Sequence, residues 1–241
     1  MMGRTHFEVG QTALSVVCDD SYLDTVRDAV FGAREILESK IAEDPFFGTT
    51  FDPYSASDDD DPLIRKMCQA SELAGVGPMA GVAGAVAEYA VDTARRAGCT
   101  HIIIENGGDI SLVTDRTVRI GVFAGEPGFD DLALEVPPSP GIRGICSSSG
   151  KIGPSVSLGN SGICTVFSSD TVLADCCATA FGNLITEGTQ KEMANAAERI
   201  SSIEGVDGCL CVCNGKMAMC GDVPELVKGT FGGDQLTSIR L

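Results

Sequence analysis

Residues 144–184, GICSSSGKIGPSVSLGNSGICTVFSSDTVLADCCATAFGNL, hold small and hydroxyl side chains more densely than any other part of the chain, with almost no charge. The rest of the fold has to be arranged around such a stretch, and an active or binding site is expected there. The stretch ends in a predicted helix opening after Ser168, Ser169 or Asp170, any of which can accept from an orphan backbone N–H. Within that helix Asp175 and Thr179 are one turn apart and share a face. A carboxylate and a hydroxyl placed this way are two hard oxygen ligands. Magnesium is typically held by one or two carboxylates, with water and substrate phosphates completing the shell, so the pair could form the protein half of a metal–diphosphate site. The alternative is that Asp175 only answers the helix N-terminus and Thr179 only packs.

A chain of 241 residues can bury a sizeable core. The expectation is one domain over 1–241, with a surface loop at 43–62 that includes the acidic run Asp58–Asp61. Lys and Arg number 17 against 34 Asp and Glu, a net charge of −17 that opposes binding to nucleic acid phosphates and to anionic membranes. There is no signal pattern and no long uncharged apolar run, which reads as a cytoplasmic protein. The eleven Cys then read as free thiols in a reducing compartment. Cys209, Cys211 and Cys213 alternate onto one strand face, more in the manner of core residues than of a soft-metal site, with Cys220 nearby.

Taken in order, residues 5–18 read as a strand and a helix follows to about Lys40. Pro62 opens a second helix. The segment GVGPMAGVAGAVAEYAVDTARRAG, 75–98, reads as a third helix restarted by Pro78 and stopped by Gly98. Its glycines cost about 1 kcal/mol each relative to Ala, so close approach of a backbone or a ligand should compensate. The N–H groups near Pro78 and Met79 could face a phosphate. Strands are expected at His101–Glu105, Ile110–Val113, Val118–Phe123, Leu132–Val136 and Gly141–Cys146. The turn Asn106-Gly107-Gly108-Asp109 is either a plain hairpin or a place where ligand atoms approach the backbone while Asn106 or Asp109 binds a ribose or base. Ser147, Ser148, Ser149 and Gly150, with Lys151 behind, would position phosphate. A helix at 190–203, a hairpin across Asn214-Gly215 and a helical turn at Pro224–Val227 complete the chain. The class is α+β with antiparallel pairs.

Four separated segments carry a resemblance: Tyr89-Ala90-Val91-Asp92 with Arg96-Ala97-Gly98; Glu105-Asn106-Gly107-Gly108-Asp109-Ile110; Ser148-Ser149-Gly150; and Ala174-Asp175-Cys176-Cys177-Ala178-Thr179-Ala180. In this order they resemble the successive motifs of the ApbE family, the FAD:protein FMN transferases, and look closest to its cytoplasmic group found notably in archaea and anaerobic bacteria. The resemblance implies two α/β lobes with largely antiparallel sheets and a flavin nucleotide in a cleft between them. It implies Mg2+ on Asp175 and Thr179, completed by a backbone carbonyl near Val86, with FAD or a related nucleotide as ligand. Two segments depart from the family pattern. Ala87 and Glu88 stand where it has lysine and glycine, and Lys151–Gly162 replaces a segment bearing a histidine. With only His6 and His101 in the chain, FMN transfer to protein in the family's manner is not expected. Three functions remain open: an enzyme acting at a nucleotide diphosphate, a binding module without chemistry, and a structural protein whose Ser/Gly loops make homo-oligomer contacts.

Overall fold

The computed structural model describes residues 3–10, 12–149 and 162–229. Eight antiparallel strands form the main sheet in the order β1 (Gly3–Val9), β2 (Thr12–Cys18), β3 (Ile102–Asn106), β4 (Asp109–Thr114), β7 (Ser139–Ser148), β8 (Ile163–Ser168), β9 (Val206–Cys213) and β10 (Lys216–Gly221). A second sheet contains β11 (Glu225–Lys228), β6 (Leu132–Val136) and β5 (Val118–Gly121), also antiparallel. The helices are α1 (Leu23–Glu43), α2 (Pro62–Ala74), α3 (Val82–Arg96), α4 (Thr171–Asn183) and α5 (Gln190–Ser201). The antiparallel α+β class read from the sequence is therefore the class observed.

Strand alternation separates two cores. Ile102, Ile104, Val113, Cys146, Val166, Cys209 and Cys211 turn toward the helices, whereas Leu112, Ile145, Phe167, Leu210 and Val212 turn toward Ile120, Leu134 and Val136 of the second sheet. Cys209, Cys211 and Cys213 lie on one face, as their spacing predicts, and are core residues. Helix α4 is enclosed almost all round: of its thirteen residues only Thr179 and Asn183 are not buried. Burial of Leu173 and Phe181 contributes about 2 kcal/mol each. Asp170 caps α4 by accepting from Leu173 N, and Asp61 caps α2 by accepting from Leu63 N, with Pro62 in the first turn.

Several expectations are corrected. Residues 5–18 are a hairpin rather than one strand, because Gly10 takes a φ of +59° and reverses the chain. Ile163–Ser168 is a strand buried throughout, hidden in sequence because its Cys, Thr and Ser look like the loop around them. Pro224–Val227 is not a helical turn, since Glu225–Lys228 pairs with β6. Ser147 and Ser148 end a strand instead of forming a loop. In the acidic run, Asp58, Asp59 and Asp61 are exposed, but Asp60 turns inward to accept from Lys40 Nζ at 2.6 Å. Among the described residues no single helix is long and apolar enough to cross a membrane.

Candidate functional site

The glycine-rich start of α3 is where the sequence candidates converge. Gly84 N donates to Asp175 Oδ2 at 2.8 Å, and Asn106 Nδ2 donates to Ala83 O at 3.1 Å. Helix α4 and the end of β3 thus both grip the first turn of α3, whose N–H groups have no partner within the helix. The cost of glycine in this helix is offset by close packing on α4. A Cβ on Gly84 would lie 2.6 Å from Thr171 O and 2.9 Å from Asp175 Cβ, and one on Gly81 would lie 2.7 Å from Cys176 Sγ. Pro78 and Met79 lie in the single 3-10 turn, Pro78–Gly81, that leads into α3.

Asn106 and Asp109 are register partners across a tight hairpin whose central Gly107 and Gly108 have φ of +68° and +108°. Positive φ at both central positions is what such a turn requires. Both flanking side chains are buried. Asp109 Oδ1 accepts from Ser147 N at 3.2 Å. Burial pushes its carboxyl up, to about 7, against the hydrogen bonds from Ser147 and Cys146. Asp175 is pushed well above the carboxylate range too, first by burial and then by the charge of Asp109, while the Gly84 and Ala83 amides pull the other way. Among the described residues neither carboxylate forms an ion pair with Lys, Arg or His.

The three serines do not present one hydroxyl surface. Ser147 Oγ faces Thr165 Oγ1 at 2.9 Å, and its neighbour Ser148, buried, points to the other side of β7. Ser149 Oγ donates to Gly162 O at 2.6 Å. Gly150 and Lys151 lie outside the described residues. Thr179 is half-buried one turn beyond Asp175. Val86 is buried inside α3, one turn past its start, where its carbonyl takes part in the helical ladder. No group of three His, Cys, Asp or Glu side chains arranged to hold a metal occurs among the described residues. The donors that would suit a hard cation are the two carboxylates and the Thr179 hydroxyl. Cavities of about 130 Å³, beside Arg143 and Asp207, and about 320 Å³, beside Lys40 and Asp60, lie away from this chemistry.

One cluster was not anticipated. Where the resemblance places a glycine, Glu88 accepts from Thr171 N at 2.6 Å and from Lys66 Nζ of α2, which also lies 3.2 Å from Asp170. These charges tie α2 and α3 to the start of α4. Burial alone would lower the Lys66 pKa, but Glu88 and Asp170 more than offset it and hold the ammonium form. Glu88→Ala is expected to cost about 2 kcal/mol by orphaning a helix-terminal N–H and removing one partner of a desolvated lysine. Glu88→Gln, which keeps an acceptor, should cost less, and urea unfolding midpoints will rank the two.

His6 hydrogen-bonds Ser15 on the first two strands, and His101 is buried against Thr114 at the far end of β3 from Asn106. Neither joins the site.

Comparison with known proteins places the whole arrangement. The family model described as AbpE bacteria matches residues 1–218. A UPF0280 protein of Methanocella arvoryzae is 38% identical over 237 residues, covering 98% of this chain and 96% of the relative. A UPF0280 protein of Methanothrix thermoacetophila is 38% identical over 239 residues, covering 98% and 99%. Among solved structures, the apo flavinyl transferase ApbE of Pseudomonas stutzeri superposes with a TM-score of 0.60 at 12% identity, covering 91% of this chain and 94% of that one. The flavin transferase ApbE of Vibrio cholerae gives 0.57 at 11% identity, covering 91% and 97%. The fold is that of the flavin transferases, and the chain belongs to the family described as AbpE bacteria, together with the UPF0280 proteins.

Proposed function

We propose that the protein binds a flavin or related nucleotide with Mg2+ at the start of α3 and acts at the ligand's diphosphate. The observation that carries this reading is the pair of buried carboxylates, Asp109 and Asp175, which form no ion pair with a cationic side chain among the described residues, on the fold that known flavin transferases use. Asp175, Asp109 and Thr179 would hold the ion, which would supply positive charge to the phosphates. Asp175 keeps its carboxylate aimed by accepting from Gly84 N, and Ser147 N does the same for Asp109. Asn106, through Ala83 O, fixes the helix start that Asp175 faces.

Magnesium is expected to strengthen the binding of FAD and ADP in calorimetry. Asp175→Ala should abolish that enhancement and Thr179→Val should reduce it less. Equal affinities with and without metal would remove the reading. A second reading, binding without turnover, is favoured by the absence of either histidine from the site. Assay of FAD cleavage to FMN and AMP with Mg2+ separates the two, and no covalent transfer of FMN to a flavinylation-motif protein is expected in either case.

A further inference from the structure

Strand β9 carries two direct cross-strand thiol pairs on its helix-facing side. Cys211 stands opposite Cys164 of β8, and Cys209 stands opposite Cys220 of β10. The first pair is sealed, with both residues 0% exposed. The second is open at one end: Cys209 is 0% exposed, but Cys220 lies on the last strand of the sheet and is half-buried. We propose that Cys209 and Cys220 are an oxidative modification site, at which a small hydroperoxide converts the two thiols to a cross-strand disulfide.

The spacing follows from the register. Cys213 and Lys216 flank the two-residue turn Asn214-Gly215 and so form a hydrogen-bonded pair. Alternation along the ladder makes Cys211–Ala218 and Cys209–Cys220 pairs of the same kind, with Cα atoms about 5.5 Å apart. That falls inside the range of about 4.4–6.8 Å that a disulfide spans. At rest the Cys209 thiol donates to Ala197 O at 3.4 Å, and burial pushes its pKa up to about 12. Cys220 is therefore the sulfur a peroxide meets first. Its thiolate attacks one peroxide oxygen, the O–O bond breaks, and the departing oxygen is protonated to water or alcohol, leaving a sulfenic acid. The Cys209 sulfur then attacks the sulfenyl sulfur. The S–O bond breaks, and the leaving hydroxide takes the Cys209 proton to form water. Two electrons and two protons pass from the thiols to the peroxide.

Five other buried thiols, Cys146, Cys164, Cys176, Cys177 and Cys211, lack this route, with no exposed surface through which an oxidant could reach them.

The full chain, purified anaerobically and exposed to hydrogen peroxide, tests this. Trypsin cuts after Arg199, Lys216 and Lys228, so the two cysteines fall on separate peptides, 200–216 and 217–228. The expected result is one linked pair of these peptides under non-reducing conditions, a fall in titratable thiols from eleven to nine, and reversal by a thiol reductant. Peptide 200–216 also holds Cys211 and Cys213, so Cys211→Ser and Cys213→Ser should each retain the link. Cys209→Ser should leave Cys220 as a sulfenic acid captured by dimedone. A wild-type map showing Cys220 unmodified, over-oxidised without a partner, or joined to any cysteine other than Cys209 overturns the proposal, and that map does not depend on any variant folding.

Discussion

Gly84→Ala is expected to destabilise the protein by about 2–3 kcal/mol, although alanine is the better helix former by about 1 kcal/mol. The added methyl would lie 2.6 Å from the Thr171 carbonyl oxygen, a backbone atom that cannot turn aside, and 2.9 Å from Asp175 Cβ. Helix α4 would have to move off α3, lengthening the Gly84–Asp175 hydrogen bond. Gly32, in α1, is the matched control. A methyl there meets nothing within 4 Å, so Gly32→Ala should stabilise by about 1 kcal/mol. Opposite signs in denaturant unfolding would confirm that the glycine at 84 is there for the helix contact. If both variants gained stability, the close approach of α3 and α4 would not be as described.

Asp109→Asn should make the protein more stable at pH 8 and leave it nearly unchanged below pH 4. The carboxyl is raised by burial from its ordinary 3.8 to about 7. Below the ordinary value the proton is held in both folded and unfolded chains, and the full stability is present. As pH rises toward 7 the unfolded chain gives up the proton freely while the folded chain retains it, so stability falls across that interval and levels off above it. Asparagine can accept the same Ser147 N–H without a charge, and it also relieves Asp175 of its nearest like charge. The gain at pH 8 is on the order of 2–4 kcal/mol. Unfolding series from pH 4 to 8 should show a falling slope in the wild type that is shallower in the variant, where burial of Asp175 still contributes, and parallel slopes would count against the buried pair. The same substitution should weaken the magnesium dependence of nucleotide binding, setting stability against function at one residue.

Much of this arrangement was legible where local chemistry decides. Asn214-Gly215, Pro62 behind Asp61, and the alternation of Cys209, Cys211 and Cys213 each specify structure within a few residues, and each is found. The one-turn spacing of Asp175 and Thr179 placed them on one helix, and the cost of glycine near residue 84 pointed to a close approach. Sequence could not say that the approaching group is Thr171 with Asp175, because that contact joins residues far apart in the chain. β8 escaped for a related reason: its burial comes from lying between β7 and β9 with a core on each side, a tertiary fact that a short run of Ile, Cys, Thr, Val, Phe and Ser does not announce. Glu88 with Lys66 was missed because complementary charges on different helices leave no periodic mark.

The enclosure of α4 has a kinetic consequence. A residue on a surface loop can change position by local opening, but Asp175 stands on a helix covered by α2 and α3 on one side and by β7 and β8 on the other. Its backbone amides should exchange with deuterium at the rate of global unfolding rather than through a local fluctuation. A ligand that engages Asp175 would then slow exchange along α4 and across the main sheet together, by a factor that grows with the ratio of free ligand to its dissociation constant. The arrival of one small molecule would be felt as a longer lifetime of the whole fold.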